Sequence, residues 1–153
     1  MSERFFFYGT LMDETVRRLV LGPSARTLSL QPAVLDGWRR TAVRGRHYPV
    51  VVAASGASVA GLVTGAMSRA AVTRLDRFEG PEYVRRALAV RSPDGGATAW
   101  VYVARNATLS SAADWDYTAW CRQHRDRFLK RLAGGARRAT FPAGATSPAR
   151  ITP

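Results

Sequence analysis

The chain has 153 residues, of which 46% are apolar, 22% charged and 10% aromatic, with 13 glycines and 8 prolines. A chain of that length buries roughly 70% of its unfolded surface as one domain, and this balance excludes wholesale disorder, a collagen-like repeat or a long coiled coil. The formal net charge is +12, and all but one of the 23 basic residues are arginine, Lys130 being the exception. The arginines are scattered in ones and twos rather than gathered in a run. Attraction of small anionic ligands therefore accounts for the charge better than a dedicated nucleic-acid surface, and nucleic acid is not an expected partner. The single cysteine, Cys121, excludes an intrachain disulfide framework and a cysteine-based zinc site. No apolar run reaches the length of a membrane span, and Phe5, Phe6, Phe7 and Tyr8 followed by Gly9 are too short and too aromatic for a signal peptide. A cytoplasmic protein without a membrane partner is expected.

Taken in chain order, residues 4–8 read as a buried strand ended by Gly9. Asp13 is a plausible cap for a short helix carrying Val16, Leu19 and Val20, which Gly22-Pro23 ends. Strand signals run from Leu28 to Met67, at 34–35, 42–43, 50–54 and 59–64, with Asp36-Gly37, Gly45, Pro49 and Ser55-Gly56 as breaks. Ser68 caps a second helix reaching about Phe78, closed by Gly80-Pro81. Residues 83–91 and 97–104 form a hairpin around Pro93-Asp94-Gly95-Gly96. Ser111 and Asp114 make a capping-box start for a last helix ending near Leu132. The expected organisation is a domain over 1–132 and a mobile or surface-draped Ala/Gly/Pro/Arg-rich tail over 133–153. Many strands with three interspersed helices and no regular βα alternation indicate an α+β fold with a curled or closed sheet.

Nucleotide cradles are absent: Gly56 and Gly61 have phosphate-loop spacing, but Leu62 follows where a lysine is needed. His47 and His124 lie far apart and outside any metal-binding spacing, and no nucleophile elbow of the Gly-x-Ser-x-Gly type occurs. Neither a metal nor a cofactor is expected, which leaves acids and backbone dipoles. Of the 11 acids, most fall at helix starts, in turns or at the N-terminus, leaving Asp76, Glu79 and Glu82. Glu79 is the anomaly, because Val72, Leu75 and Glu79 follow one helical stripe and place a carboxylate where the core should be. A helix C-terminus and burial both favour its protonated form, moving it toward the range of a general base. The alternatives are a frayed turn with Glu79 in solvent, or an ion pair with Arg85 or Arg86.

Tyr83 and Arg85 share one face of the following strand, whereas Arg86 shares the other with Val84 and Leu88. The first face either joins Glu79 in a pocket or forms a cross-strand pair at a sheet edge. Near the N-terminus, the turn after Tyr8 brings the amides of Gly9, Thr10 and Leu11 close together, a geometry suited to an anion. Cys121 and His124 are helical neighbours, but the stripe Tyr117, Cys121, His124, Phe128 and Leu132 explains both as core.

Together these segments resemble the gamma-glutamylcyclotransferase-like family, which includes the avirulence-induced proteins of plants. The resemblance rests on Phe7-Tyr8-Gly9-Thr10-Leu11 and on Leu75-Asp76-Arg77-Phe78-Glu79-Gly80-Pro81-Glu82-Tyr83, supported by Asp36-Gly37-Trp38-Arg39 and Tyr48-Pro49-Val50-Val51. It covers roughly residues 4–130. It implies a small mixed β-barrel with flanking helices, Glu79 as catalytic acid/base, and Tyr8, Gly9, Thr10 and Leu11 lining the substrate pocket with the Tyr83 hydroxyl nearby. The implied partner is a small γ-glutamyl amine or peptide, whose α-amine attacks its own γ-carbonyl to give 5-oxoproline and a free amine. The leaving amine would be read by loops such as 44–49. Two other readings share the sequence: a non-catalytic pocket for a small carboxylic acid, and a basic nucleic-acid-binding module.

Overall fold

Residues 3–135 are described by the computed structural model, and the expected tail beyond 135 lies outside them. The sheet has six antiparallel strands: β1 (Phe6–Phe7), β2 (Leu30–Val43), β3 (Pro49–Thr64), β4 (Tyr83–Ser92), β5 (Gly95–Ala104) and β6 (Ser110–Asp114). Their order is β1-β3-β2-β4-β5, with β6 pairing β2. Four helices pack on it: α1 (Glu14–Leu21), α2 (Arg69–Glu79), α3 (Tyr117–Gln123) and α4 (Arg125–Ala133). None of the described helices is long and apolar enough to cross a membrane.

The fold is α+β as expected, and the sheet curls until its first and last strands touch. That contact is a single parallel bridge between Phe5 and Trp100, with Trp100 N–H donating to the Arg4 carbonyl at 2.8 Å. The sheet is therefore not a fully laddered barrel. The aromatic first strand sits between two cores because successive side chains point to opposite faces. Phe5 and Phe7 join the core under the helices with Leu75, Phe78, Trp120 and Phe128. Phe6 and Tyr8 join the core inside the curl with Leu35, Val51, Val63 and Val101.

The helix caps fall where the sequence places them. Asp13 Oδ1 accepts Val16 N–H at 3.0 Å and Ser68 Oγ accepts Ala71 N–H at 3.2 Å, satisfying amides that a helix start leaves open. Three expectations are corrected. The four short strands between residues 28 and 67 are two long ones, because Asp36-Gly37 and Ser55-Gly56 end no strand but face each other at one irregularity of the β2–β3 ladder. The register steps from Asp36–Ser58 to Trp38–Ala53 there, and Gly37 takes a φ of 86°. The segment 110–114 is strand rather than helix start, since β2 offers it a free edge; Asp116 caps α3 instead, accepting Ala119 N–H at 2.8 Å. The last helix also breaks at His124 into α3 and α4.

Gly61 marks how tightly β1 lies on β3, because an added Cβ there would overlap the Phe7 carbonyl oxygen and the Phe6 ring. Gly61→Ala is expected to reduce unfolding stability by about 1–3 kcal/mol, the usual effect of overpacking. Urea denaturation measures this, and an unchanged midpoint would contradict the packing.

Candidate active site

The site begins at the C-terminal end of α2. Its apolar stripe of Ala71, Val72, Leu75 and Phe78 seats the helix on the core, and the same phase carries Glu79 inward to 4% exposure. Gly80 follows with a φ of 80°, a left-handed conformation that favours glycine. The chain thereby turns into β4 within four residues, and Tyr83 is buried at the strand's start. Its hydroxyl donates to the Pro49 carbonyl at 2.7 Å. Arg85, two residues on, pairs with Asp76 at 3.0 Å and Glu3 at 3.5 Å, while Arg86 lies 5.5 Å over the Trp38 ring. Glu79 is thus a buried carboxylate in an intact helical turn, and Arg85 reaches the acid one turn before it.

The loop after β1 forms the opposite side. Met12 N–H donates to the Gly9 carbonyl at 2.9 Å and Asp13 N–H to the Thr10 carbonyl at 3.1 Å, which closes a 3₁₀ turn. The amides of Gly9, Thr10 and Leu11 are left without a backbone acceptor among the described residues. The Thr10 hydroxyl is fully buried and also lacks a hydrogen-bond partner among them. Three donors and a hydroxyl in one buried turn are suited to a carboxylate or an oxyanion. The loop is joined to the Glu79 side by two contacts. Gly9 packs on Pro49, where an added Cβ would stand 2.7 Å from Cγ, and Tyr83 holds the same proline's carbonyl. The Tyr8 hydroxyl donates to the Tyr102 carbonyl at 2.6 Å, and the Tyr102 phenol is pushed far up by burial first and by the charge of Glu79 next.

Sequence reasoning missed several neighbours. The Tyr102 hydroxyl donates to Asp76 Oδ1 at 2.7 Å. Buried Arg46 donates through Nε to the Tyr48 hydroxyl at 3.1 Å, and that hydroxyl reaches Glu82 Oε1 at 3.4 Å. Two arginines brace the loop: Arg40 Nη1 donates to the Tyr8 carbonyl at 2.9 Å, and Arg17 Nη1 to the carbonyls of Leu11 and Met12 at 2.9 and 2.8 Å. A cleft of about 500 Å³ flanks the end of α2, lined by Asp76, Arg77, Tyr83, Arg85, Tyr102 and Arg105 among others. The hairpin register alone signals Tyr102, which stands opposite Arg85.

Cys121 and His124 do not form a nucleophile pair. The Tyr117 phenol is pushed up by burial first and by the neighbouring Cys121 next. The His124 ring stacks on His47 at 3.6 Å between centroids. Burial lowers both imidazoles below the usual 6.5, followed for His47 by the charges of His124 and Arg127 and for His124 by that of Arg127.

The family follows from these features. Residues 5–122 match the model of the gamma-glutamyl cyclotransferase, AIG2-like family, a span that includes both the loop and the Glu79 segment. The chain belongs to that family. Among its relatives, AIG2-like protein D of Arabidopsis thaliana is 31% identical over 141 residues, covering 90% of this chain and 91% of the relative. A solution structure of another Arabidopsis thaliana protein is 27% identical with a TM-score of 0.64, covering 88% of this chain and 81% of that one. A solved gamma-glutamyl cyclotransferase, at 15% identity, a TM-score of 0.58 and coverage of 96% and 94%, shares the fold.

Two outcomes are expected from this geometry. Thr10→Val removes a buried hydroxyl that has no protein acceptor here, so the thermal midpoint is expected to stay the same or rise; a clear fall would reveal a structural bond. For the histidines, the folded state binds protons less readily than the unfolded one. Their contribution is therefore complete above pH 6.5 and is lost as the pH falls through the lowered folded values. Thermal midpoints between pH 8 and 5 should decline less in His47→Gln/His124→Gln than in the parent protein, and parallel curves would refute the assignment.

Proposed function

We propose that the protein is a gamma-glutamyl cyclotransferase acting on a small γ-glutamyl amine or γ-glutamyl peptide. The observation that carries this is the burial of Glu79 at the end of α2, with Tyr83 four residues on bonded to Pro49, the residue against which the 9–11 loop with its open amides packs. Family membership supports the same reaction class.

The substrate carries its own nucleophile, so the protein has only to position it and move one proton. Glu79 takes a proton from the α-ammonium, and the freed amine attacks the γ-carbonyl to form a carbon–nitrogen bond within a five-membered ring. The tetrahedral intermediate then expels the leaving amine as its carbon–nitrogen bond breaks. Glu79 returns the proton to the departing nitrogen, and the second proton that the attacking nitrogen sheds as the lactam forms passes to the released amine, which leaves 5-oxoproline. Burial and the helix C-terminus both favour the protonated carboxyl, the direction that suits a carboxylate to act as a base. The amides of Gly9, Thr10 and Leu11 supply donors for the substrate carboxylate or the oxyanion, while Tyr8, Leu11 and Tyr83 shape the walls. The reaction calls on no metal or organic cofactor.

The test is 5-oxoproline release from a panel of γ-glutamyl amides by the parent protein and Glu79→Gln. The variant is expected to lose roughly 10²–10⁴-fold in turnover while keeping its fold. Equal rates would remove Glu79 from the mechanism. A folded parent that releases nothing from any panel member, yet binds 5-oxoproline, would be a pocket binder instead.

A further inference from the structure

The helix break at His124 borders a notch whose walls include neither Glu79 nor the 9–11 loop. His124 ends α3, donating its N–H to the Trp120 carbonyl at 2.9 Å, and starts α4, accepting Phe128 N–H at 3.0 Å. Its ring stacks on His47 of the β2–β3 turn, with centroids 3.6 Å apart and planes within 12°. That turn is fixed by Trp115 Nε1–H, which donates to the His47 carbonyl at 2.8 Å. His124, Arg127, Phe128 and Arg131 follow at helical spacing, so they share one face at α4. With His47, Tyr48 and Trp120 they enclose about 40 Å³.

The walls decide what the notch can hold. No carboxylate lines it, and Arg127 and Arg131 form no ion pair among the described residues. Trp120 is 1% exposed, and its Nε1–H is buried with no acceptor among those residues. Buried donors are ordinarily paired, so this one is open to an acceptor on a ligand. A metal ion does not suit the histidines, because imidazole lone pairs lie in the ring plane and those of stacked rings do not converge. The space is little more than the roughly 30 Å³ share of one water, which admits a carboxylate head rather than a bulkier tetrahedral anion. Three aromatic rings, of Tyr48, Trp120 and Phe128, offer apolar contact to a short hydrocarbon tail.

We propose that this notch between the β2–β3 turn and α4 is a binding site for a small aliphatic monocarboxylate, with Arg127 and Arg131 at its rim. Occupancy and protonation are linked there. Burial first, then the charges of His124 and Arg127 for His47 and that of Arg127 for His124, hold the imidazoles below their ordinary value. A bound anion favours the cationic rings, so binding draws protons and strengthens as the pH falls through the imidazole range. The other charged and titratable groups nearby have partners of their own. The Tyr48 hydroxyl is bonded to Arg46 and Glu82, Arg125 is turned to Asp13, and Cys121 neighbours Tyr117.

NMR titration of the two imidazoles between pH 8 and 5 tests the site, with sodium chloride replaced by sodium propionate at constant ionic strength. The chain has only two histidines, so His47→Gln and His124→Gln assign them. Both midpoints are expected to rise by about 0.5–1 unit, saturably, with the Trp120 indole N–H signal moving over the same propionate range. Arg127→Gln/Arg131→Gln replaces two exposed side chains and is compatible with folding. Removing those charges raises the starting midpoints, so the difference between propionate and chloride is compared within each protein. That difference should vanish in the double variant. Midpoints no higher in propionate than in chloride would overturn the proposal, and so would a difference that survives in the double variant. Sodium phosphate at the same ionic strength is the third arm, and a rise there equal to that in propionate would refute the carboxylate class.

Discussion

A carboxyl group buried at the closed end of a helix is the constraint on which the surrounding geometry depends. At the last turn of α2 the final carbonyls point along the axis without intrahelical partners, and their partial charge opposes a carboxylate by about 0.3–1 kcal/mol. Burial adds a desolvation cost that an exposed acid would avoid. Packing does not require the group, because Ala71, Val72, Leu75 and Phe78 already fill the helix's inner face. The chain turns at once through the positive φ of Gly80 and buries Tyr83, so Glu79 is locked between a helix end and a strand start. Neither neighbour can move without unseating core residues on both sides.

The first strand imposes the matching constraint from the other direction. Because Phe5 and Phe7 lie in one core and Phe6 and Tyr8 in the other, the residue that follows cannot shift along the strand or rotate about it. Gly9 starts its turn from a fixed point, against Pro49. The curl of the sheet, sealed at Phe5 and Trp100, carries β5 back beneath this loop, so that Tyr8 and Tyr102 meet although 94 positions separate them. The two halves of the site are therefore fixed by the sheet rather than by loops folding onto one another.

Features set by local chemistry were legible in the sequence. Asp13, Ser68, Gly22 and Gly80 mark helix ends through the few residues beside them, and the structure places them there. Glu79 was legible because a charge in an apolar stripe is anomalous within two helical turns. Asp36-Gly37 and Ser55-Gly56 were misread as strand ends because a ladder irregularity and a turn use the same residues, and only the partner strand tells them apart. Ser111 and Asp114 imitate a capping box, yet a strand edge on β2 wins. Tyr102 and Arg46 stayed hidden for a related reason, since their contacts arise from pairing register and a long-range turn, neither of which leaves a local pattern.

The arginine excess acquires a structural meaning at the same loop. Pairs such as Arg39 with Asp114 and Arg91 with Asp36 are exposed and contribute little to stability. Arg40 is different, because it grips the Tyr8 carbonyl. A trans peptide is planar, with its carbonyl and the next N–H pointing in opposite directions. Holding the Tyr8 oxygen therefore aims the Gly9 N–H the other way, and Arg17 holds the Leu11 carbonyl in the same manner while Met12 N–H closes the turn. Arg105 braces the far side, donating to the carbonyls of Pro81 and Tyr83 at 2.9 and 3.4 Å. A guanidinium suits this work because its fork of donors stays charged and meets carbonyls in a fixed plane, where a lysine would offer a single flexible point. The charge that looks like a nucleic-acid signature in the composition thus serves, at these positions, to orient the backbone that an anionic substrate would meet.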